Sequence, residues 1–393
     1  MTDIHGDAAQ GFERVEEAFA ENFKSHGDVG AAFSLYHRGE KVVDLWGGVA
    51  DVDTGRDWTD DSLQLVFSTT KGATAICANL LVQRGELDLD APVTTYWPEF
   101  GAEGKEQIPV RWLLSHRSGL PVLDNAPSPE EALAWDPMIK LLAQQRPVWE
   151  PGTAHGYHAL TYGWLVGEVV RRISGRSLGT FFAEEVAGPL GLDFWIGLPA
   201  SQETRVSPLI QAGFAASDMQ IDLAALPKEI REIAEAFLSP DSLVNRALFV
   251  TDPRLEFNSP EVHAAEIPAA NGITDARSLA RMYAGLIGDG VDGVRLFTDD
   301  TVAAVTTEQS NGPDKVLFVP TRFGLGFFLN SMFAPLGSEG SFGHAGAGGS
   351  LGYADPANQV GFGYVMNKMH QGLAGDPRTL GLIQAVNASV AAL

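Results

Sequence analysis

Strand-forming segments gather at the two ends of this chain and thin out between them, and that distribution limits how it can fold. Near the start, Phe12, Val15, Phe19 and Phe23 recur at helical spacing, with Glu13, Glu16, Glu17 and Glu21 between them. Strands over 30–37 and 41–48 follow, joined by a turn at Arg38-Gly39-Glu40, with Val42, Val43, Leu45 and Trp46 as strand formers. Near the other end, strands are predicted over 323–329, 342–344 and 360–367, and a helix over 378–392. From Ser68 to about Gly290 the periodicity is mainly helical. One helix runs through Ile76, Cys77, Leu80 and Leu81 to Gly85, and a short one covers 108–116. A third covers 160–173, stopped by Ser174-Gly175, and a fourth starts at Thr274-Asp275-Ala276. The pattern predicts an α+β fold: one antiparallel sheet flanked by helices, built from residues 1–66 and 315–393, with an all-helical lobe, 67–314, inserted. Residues 198–265 have poor periodicity and recurring prolines. They read as a lid or pocket wall, with Met219, Phe237, Leu248 and Phe249 as packing or ligand contacts.

With 393 residues there is room for two lobes around a large core. The formal net charge is −23, with 50 acidic and 27 basic residues, which argues against nucleic acid and anionic membranes as partners. The acid is spread along the chain as a solvated coat. The single cysteine, Cys77, cannot form an internal disulfide, and among apolar neighbours it reads as an inert thiol. No run approaches a membrane span, and the first residues show no basic stretch followed by an apolar one. A cytoplasmic protein is expected, with its oligomeric state open.

The chemistry centres on Phe67-Ser68-Thr69-Thr70-Lys71-Gly72. Ser68 reads as a cap at a helix entrance, and Lys71, three residues on, shares its face. An apolar setting favours the neutral amine, which could take the hydroxyl proton and make a nucleophile. The bland alternative is a capping serine and a solvated lysine. Two later stretches favour the chemical reading: residues 151–159, containing Tyr157, and the glycine-rich Gly343-His344-Ala345-Gly346-Ala347-Gly348-Gly349.

Together these three ordered stretches resemble the serine β-lactamase and penicillin-binding-protein superfamily, above all class C β-lactamases and the family VIII carboxylesterases that share their fold. Residues 113–120, 151–175 and 188–192 carry further likeness, and the resemblance spans about 28–198 and 266–370. It implies a β-lactamase/transpeptidase-like fold without a cofactor. It also implies that Ser68 is the acylated nucleophile and Lys71 its partner, while Tyr157 matches the tyrosine of the Tyr-x-Asn motif and helps move protons. His344-Ala345-Gly346 stands at the Lys-Thr-Gly strand motif, and the N–H groups of Ser68 and Ala347 match the oxyanion hole.

Two positions depart from the pattern. Ala159 stands where the family has Asn, so an amide that would contact an amide substrate is missing. His344 replaces a cation that would hold a β-lactam carboxylate, and imidazole is largely neutral at neutral pH. The expected activity is therefore a carboxylesterase on a small-molecule ester, with β-lactamase, D-amino-acid peptidase, amide hydrolase, acyltransferase and a non-catalytic binding protein as alternatives. Ser177 and Ser350 each sit in a Gly-x-Ser-x-Gly pattern, but neither has the strand–serine–helix context of a nucleophile elbow. His116 reads as a satisfied histidine at a helix end, and His155 and His158 lack a zinc-protease pattern. Trp135 and Trp149 read as core.

Overall fold

The computed structural model describes residues 2–211, 231, 235–370 and 375–393; Met219 lies outside them. The strands among the described residues are β1 (Ile4–Ala8), β2 (Gly30–His37), β3 (Glu40–Asp51), β4 (Arg56–Asp57), β5 (Leu63–Leu65), β6 (Phe194–Trp195) and β7 (Val206–Ser207), then β8 (Ile273–Thr274), β9 (Ser310–Pro313), β10 (Pro320–Phe323), β11 (Phe328–Leu329), β12 (Phe342–Ala345), β13 (Leu351–Asp355) and β14 (Val360–Met366). The main sheet runs β1-β3-β2-β14-β13-β12-β11-β10-β9, with β4 on β3. Its pairs are antiparallel, and strands from both chain ends meet where β14 pairs with β2, Tyr364 opposite Phe33. The fold is thus α+β, a mainly antiparallel sheet flanked by helices.

Each face of the sheet takes a different cover. The Glu13–Ser25 and Pro377–Val390 helices lie on one face, where Val15, Phe19, Leu382 and Val386 join Phe33, Phe362 and Tyr364 in one apolar cluster. The Ala276–Ala284 helix lies on the other, and it lies close because β14 presents glycine there. A Cβ on Gly361 would meet Ala280 O at 2.5 Å, and one on Gly363 would meet Ala280 N at 2.6 Å.

Behind this layer the Thr70–Gln83 helix is buried on every side from Thr70 to Leu81. A helix with no polar stripe belongs inside a core, and this one carries the Ser68–Lys71 stretch at its head. The middle of the chain is not helical throughout. β5, β6, β7 and β8 form a small sheet of two-residue and three-residue strands, too short to show a period of two in the sequence.

Other differences from the sequence reading have local causes. The first strand, Ile4–Ala8, is a polar edge strand defined by its pairing with β3 and not by an apolar pattern. The expected strand over 323–329 is two strands, because Gly326 at φ +90° turns the chain and Gly324 N–H bonds Phe327 O. Tyr353-Ala354-Asp355-Pro356 reads as a turn in the sequence, but Leu351–Asp355 is β13, buried throughout between β12 and β14.

Candidate active site

Ser68 does not cap its helix. It is the middle residue of a 3-10 turn, Phe67–Thr69, and the α-helix begins at Thr70. Thr69 N–H bonds Val66 O and Thr70 N–H bonds Phe67 O, so backbone carbonyls satisfy the donors a cap would serve. The hydroxyl is left for Lys71. Phe67 sits at φ +43°, a left-handed conformation that a bulky residue avoids, directly before Ser68.

Lys71 has no exposed surface. Its Nζ lies 2.9 Å from Ser68 Oγ, 2.7 Å from Ala159 O and 3.0 Å from Ala269 O. The last partner is brought in by threonines on the same helix. Thr74 Oγ1–H donates to Pro268 O at 2.5 Å, and Thr70 Oγ1 accepts from Gly272 N–H at 2.8 Å. Burial pushes the Lys71 amine well below the ordinary lysine range.

Tyr157 comes from a distant loop, and its ring centroid is 4.7 Å from Lys71 Nζ. Burial raises its phenol above the usual range and the neighbouring Ser68 side chain draws it back. Its loop is tied to Asp314, a residue the sequence reading missed. Asp314 Oδ1 accepts from the N–H groups of Tyr157 (3.0 Å), Val316 (2.8 Å) and Leu317 (2.9 Å). Asp314 Oδ2 accepts from Thr321 Oγ1–H at 3.0 Å, and that hydroxyl lies 2.9 Å from His155 Nε2. An aspartate just after Gly312-Pro313 signals a local turn, and Asp314 makes one with Val316 and Leu317. Its reach to Tyr157 leaves no trace in sequence.

His344 is buried on β12, its ring centroid 6.0 Å from Tyr157 and 4.7 Å from Phe328. Its Nδ1 is 2.7 Å from Ala345 O, which fixes the proton on Nδ1 and leaves Nε2 an acceptor without a partner among the described residues. Burial, with Lys71 nearby, holds the imidazole well below its usual pKa, so it is neutral. Gly346 packs on the Ser68 turn so closely that a Cβ would fall on Val66 O and Ser350 Oγ and meet Thr69 Oγ1 at 2.9 Å. Ser350 Oγ–H donates to Val66 O at 2.9 Å, and Thr69 Oγ1 is 3.1 Å from Ser350 Oγ. These bonds fasten the turn holding Ser68 to the one holding Ala347. Neither the Ser68 nor the Ala347 N–H donates to another group among the described residues. Ala345 and Ala347 are exposed and Ser68 half-buried. Ala159 meets the site through its carbonyl on Lys71.

The remaining candidates are occupied elsewhere. Ser177 caps the Leu178–Phe182 helix and donates to Glu266 Oε1 at 2.6 Å. Ser350 precedes a strand. Cys77 is buried, and burial raises its thiol. His116 Nδ1 accepts from His158 N–H at 3.1 Å, while His158 is held neutral, its pKa pushed down by burial to about 3. No cluster of metal-ligating residues occurs among the described residues. Trp135 donates to Glu168 at 2.9 Å, and Trp149 packs on His158 and the apolar cluster around Tyr157. That cluster also takes in Phe237 and Leu248, and Phe249 is stacked under the Arg254 guanidinium.

An antiparallel sheet with helices on both faces, and a serine–lysine pair at the head of a buried helix, define a β-lactamase/transpeptidase-like protein. The Beta-lactamase family model matches residues 12–385, and the chain belongs to that family. It is 37% identical over 330 residues to Esterase/beta-lactamase LipL of Mycobacterium tuberculosis (strain ATCC 25618 / H37Rv), covering 82% of this chain and 74% of that one. Among solved structures it is similar to a family VIII carboxylesterase, with TM-score 0.86 and 38% identity over 98% of both chains. It is equally similar to a penicillin-binding-protein homologue from Caulobacter crescentus, with TM-score 0.85 and 38% identity over 98% of this chain and 100% of that one. No helix among the described residues is long and apolar enough to cross a membrane.

Proposed function

We propose that this protein is a serine carboxylesterase that works through an acyl-enzyme on Ser68. The observation that carries the reading is the buried Lys71 amine 2.9 Å from Ser68 Oγ, with two carbonyls on its other sides. A neutral amine has two N–H groups, one for each carbonyl, and one lone pair, which then faces the serine hydroxyl. Ser68 Oγ attacks the ester carbonyl carbon as its proton passes to Lys71. The carbonyl oxygen becomes an oxyanion between the N–H groups of Ser68 and Ala347. As the tetrahedral intermediate collapses, the C–O bond to the alcohol breaks. Tyr157 gives that oxygen its phenolic proton and regains one from Lys71. Water then repeats the sequence in reverse roles, releasing the acid and restoring Ser68.

Ester selectivity follows from two side chains. His344 is neutral, so it offers no cation to a substrate carboxylate, and Ala159 offers no side-chain amide. The similarity to LipL, named an esterase/beta-lactamase, keeps β-lactam hydrolysis as a second reading. Transfer of the acyl group to an added alcohol or amine would use the same intermediate. Turnover of p-nitrophenyl acetate and butyrate should exceed that of nitrocefin and D-alanyl peptides; the reverse ranking would overturn the esterase reading.

The partner we assign is a small-molecule ester of short acyl chain. The net charge of −23 argues against nucleic acid. We place the protein in the cytoplasm, which cell fractionation would test.

A further inference from the structure

The peptide between Gly346 and Ala347 carries the Gly346 carbonyl on one side and the Ala347 N–H on the other. In a trans peptide these point in opposite directions, so whatever holds the carbonyl also aims the N–H. Gly346 O accepts from Gly349 N–H at 3.1 Å. That bond closes a four-residue turn whose third residue, Gly348, sits at φ +87°, where glycine is called for. The turn in turn rests on one side chain. Gly348 O accepts from Arg378 Nη2 at 2.5 Å, and also from His370 N–H at 2.9 Å. A Cβ on Gly349 would meet Arg378 Nη2 at 2.5 Å, so that glycine leaves room for the guanidinium.

Arg378 is 1% exposed, and every one of its five N–H donors is used. Nε bonds Asp376 Oδ1 at 3.0 Å, and Nη1 bonds Asp28 Oδ1 at 2.9 Å and Lys368 O at 2.8 Å. Nη2 bonds Gly348 O and Asp376 Oδ2 at 2.6 Å. The other oxygen of Asp28 accepts from Tyr364 Oη–H at 2.7 Å. A buried ion pair of this kind is weak evidence for stability, because apolar groups of equal volume often serve as well. What an apolar group could not do is hold the Gly348 carbonyl.

We propose that Arg378 is a positioning residue for the oxyanion-binding peptide: through Gly348 O it fixes the 346–349 turn, and so the direction of the Ala347 N–H. Arg378 is buried and does not meet substrate. The proposal rests on the acyl-enzyme reading above, since it assigns Arg378 a part in stabilising that reaction's oxyanion.

The test compares Arg378→Gln with Asp28→Asn. Both disrupt the buried ion pair, but only the first removes the contact to Gly348. Arg378→Gln should lower kcat for p-nitrophenyl butyrate by about 10²-fold, the scale of a misplaced catalytic group, with KM nearly unchanged. Affinity for phenylboronic acid, whose tetrahedral adduct on Ser68 mimics the oxyanion, should fall in parallel. Asp28→Asn should lower Tm while kcat stays within about threefold. If Arg378→Gln does not fold, Arg378→Met, which cannot donate to Gly348 O, is read by the same criteria. Full kcat and boronate affinity in the folded Arg378 variant would overturn the proposal. So would activity losses in both variants that merely track Tm. Failure of the wild-type protein to form an acyl adduct with any ester would instead defeat the esterase reading.

Discussion

A lysine with no exposed surface and three acceptors within 3.0 Å can satisfy them in two ways. As an ammonium it donates to all three; as an amine it donates to the Ala159 and Ala269 carbonyls and accepts from Ser68. Burial selects the amine, and it also keeps Tyr157 a phenol. Both shifts favour a neutral pair, as the proposed roles of Lys71 as base and Tyr157 as acid require. Because the Lys71 pKa is lowered, kcat/KM should rise as the amine deprotonates and reach its plateau below the ordinary lysine range. Lys71→Arg, always charged, should lose about 10²–10⁴-fold in kcat at every pH. Stopped-flow pH profiles check both, and an arginine variant with a normal plateau would refute them. Tyr157→Phe should slow esters of poorly leaving alcohols more than p-nitrophenyl esters, whose leaving group needs no proton; equal losses would contradict the assigned role. That Ser68, Lys71 and Tyr157 meet was legible from the order of the three stretches that carry them. The role of the Ala159 carbonyl was not, since a carbonyl looks the same in every residue, and Ala269 and Asp314 come from other parts of the chain.

Elements meet at the site through a few close contacts, and these fix what each can tolerate. β12 reaches the Ser68 turn only because Gly346 has no side chain, and Ser350 and Thr69 then bond the two turns together. Gly346→Ala should therefore destabilise the protein by about 1–3 kcal/mol, as overpacking does, and lower kcat further than that loss explains. Denaturant unfolding alongside kinetics checks this; a stable, fully active variant would show that the two turns can part. Asp314→Ala leaves the N–H groups of Tyr157, Val316 and Leu317 without their acceptor, at a cost of about 1–3 kcal/mol for each one left unsatisfied. Activity should fall with it through the displaced Tyr157 loop. At this scale the sequence was legible where periodicity was long. The Glu13–Ser25, Thr161–Ser174 and Pro377–Val390 helices and β2, β3, β12 and β14 stand close to their expected limits. It was illegible where pairing alone makes the strand, as in β1 and the two-residue strands, or where glycine hides a break, as at Gly326 between β10 and β11.

Across the whole molecule, the site is lined by histidines that folding keeps neutral. His116, His158 and His344 are fully buried and all have their pKa lowered by desolvation, His158 to about 3. A group with a lowered folded pKa contributes stability above its unfolded pKa, near 6.5, and loses it as pH falls toward the folded value. Each fully neutral histidine then costs about 1.4 kcal/mol per pH unit below 6.5. Asp28 and Asp275 work the other way, since burial raises both carboxyls. Asp275 rises to about 6, so its contribution is present at low pH and lost as pH rises through about 6. The three histidines, with Lys71 lowered in the same sense, outweigh the two aspartates, so urea unfolding at pH 5.5 should give a lower free energy than at pH 7.5, and His158→Gln should flatten that slope. An unchanged free energy would mean that the histidines are hydrated. The acid coat was legible as composition, and the sheet made from both chain ends was legible from where the strand formers lie. The Asp28–Arg378–Gly348 tie was not, because it joins three remote segments with no local pattern.

The central claim is a covalent bond between an ester's acyl group and Ser68. Intact-mass measurement after rapid quenching, with a panel of short-chain esters and the adduct mapped by peptide, tests it most directly. The expected result is a mass increase of one acyl group on the peptide containing Ser68, absent in Ser68→Ala. An adduct on Ser177 or Ser350, or ester turnover undiminished in Ser68→Ala, would contradict it.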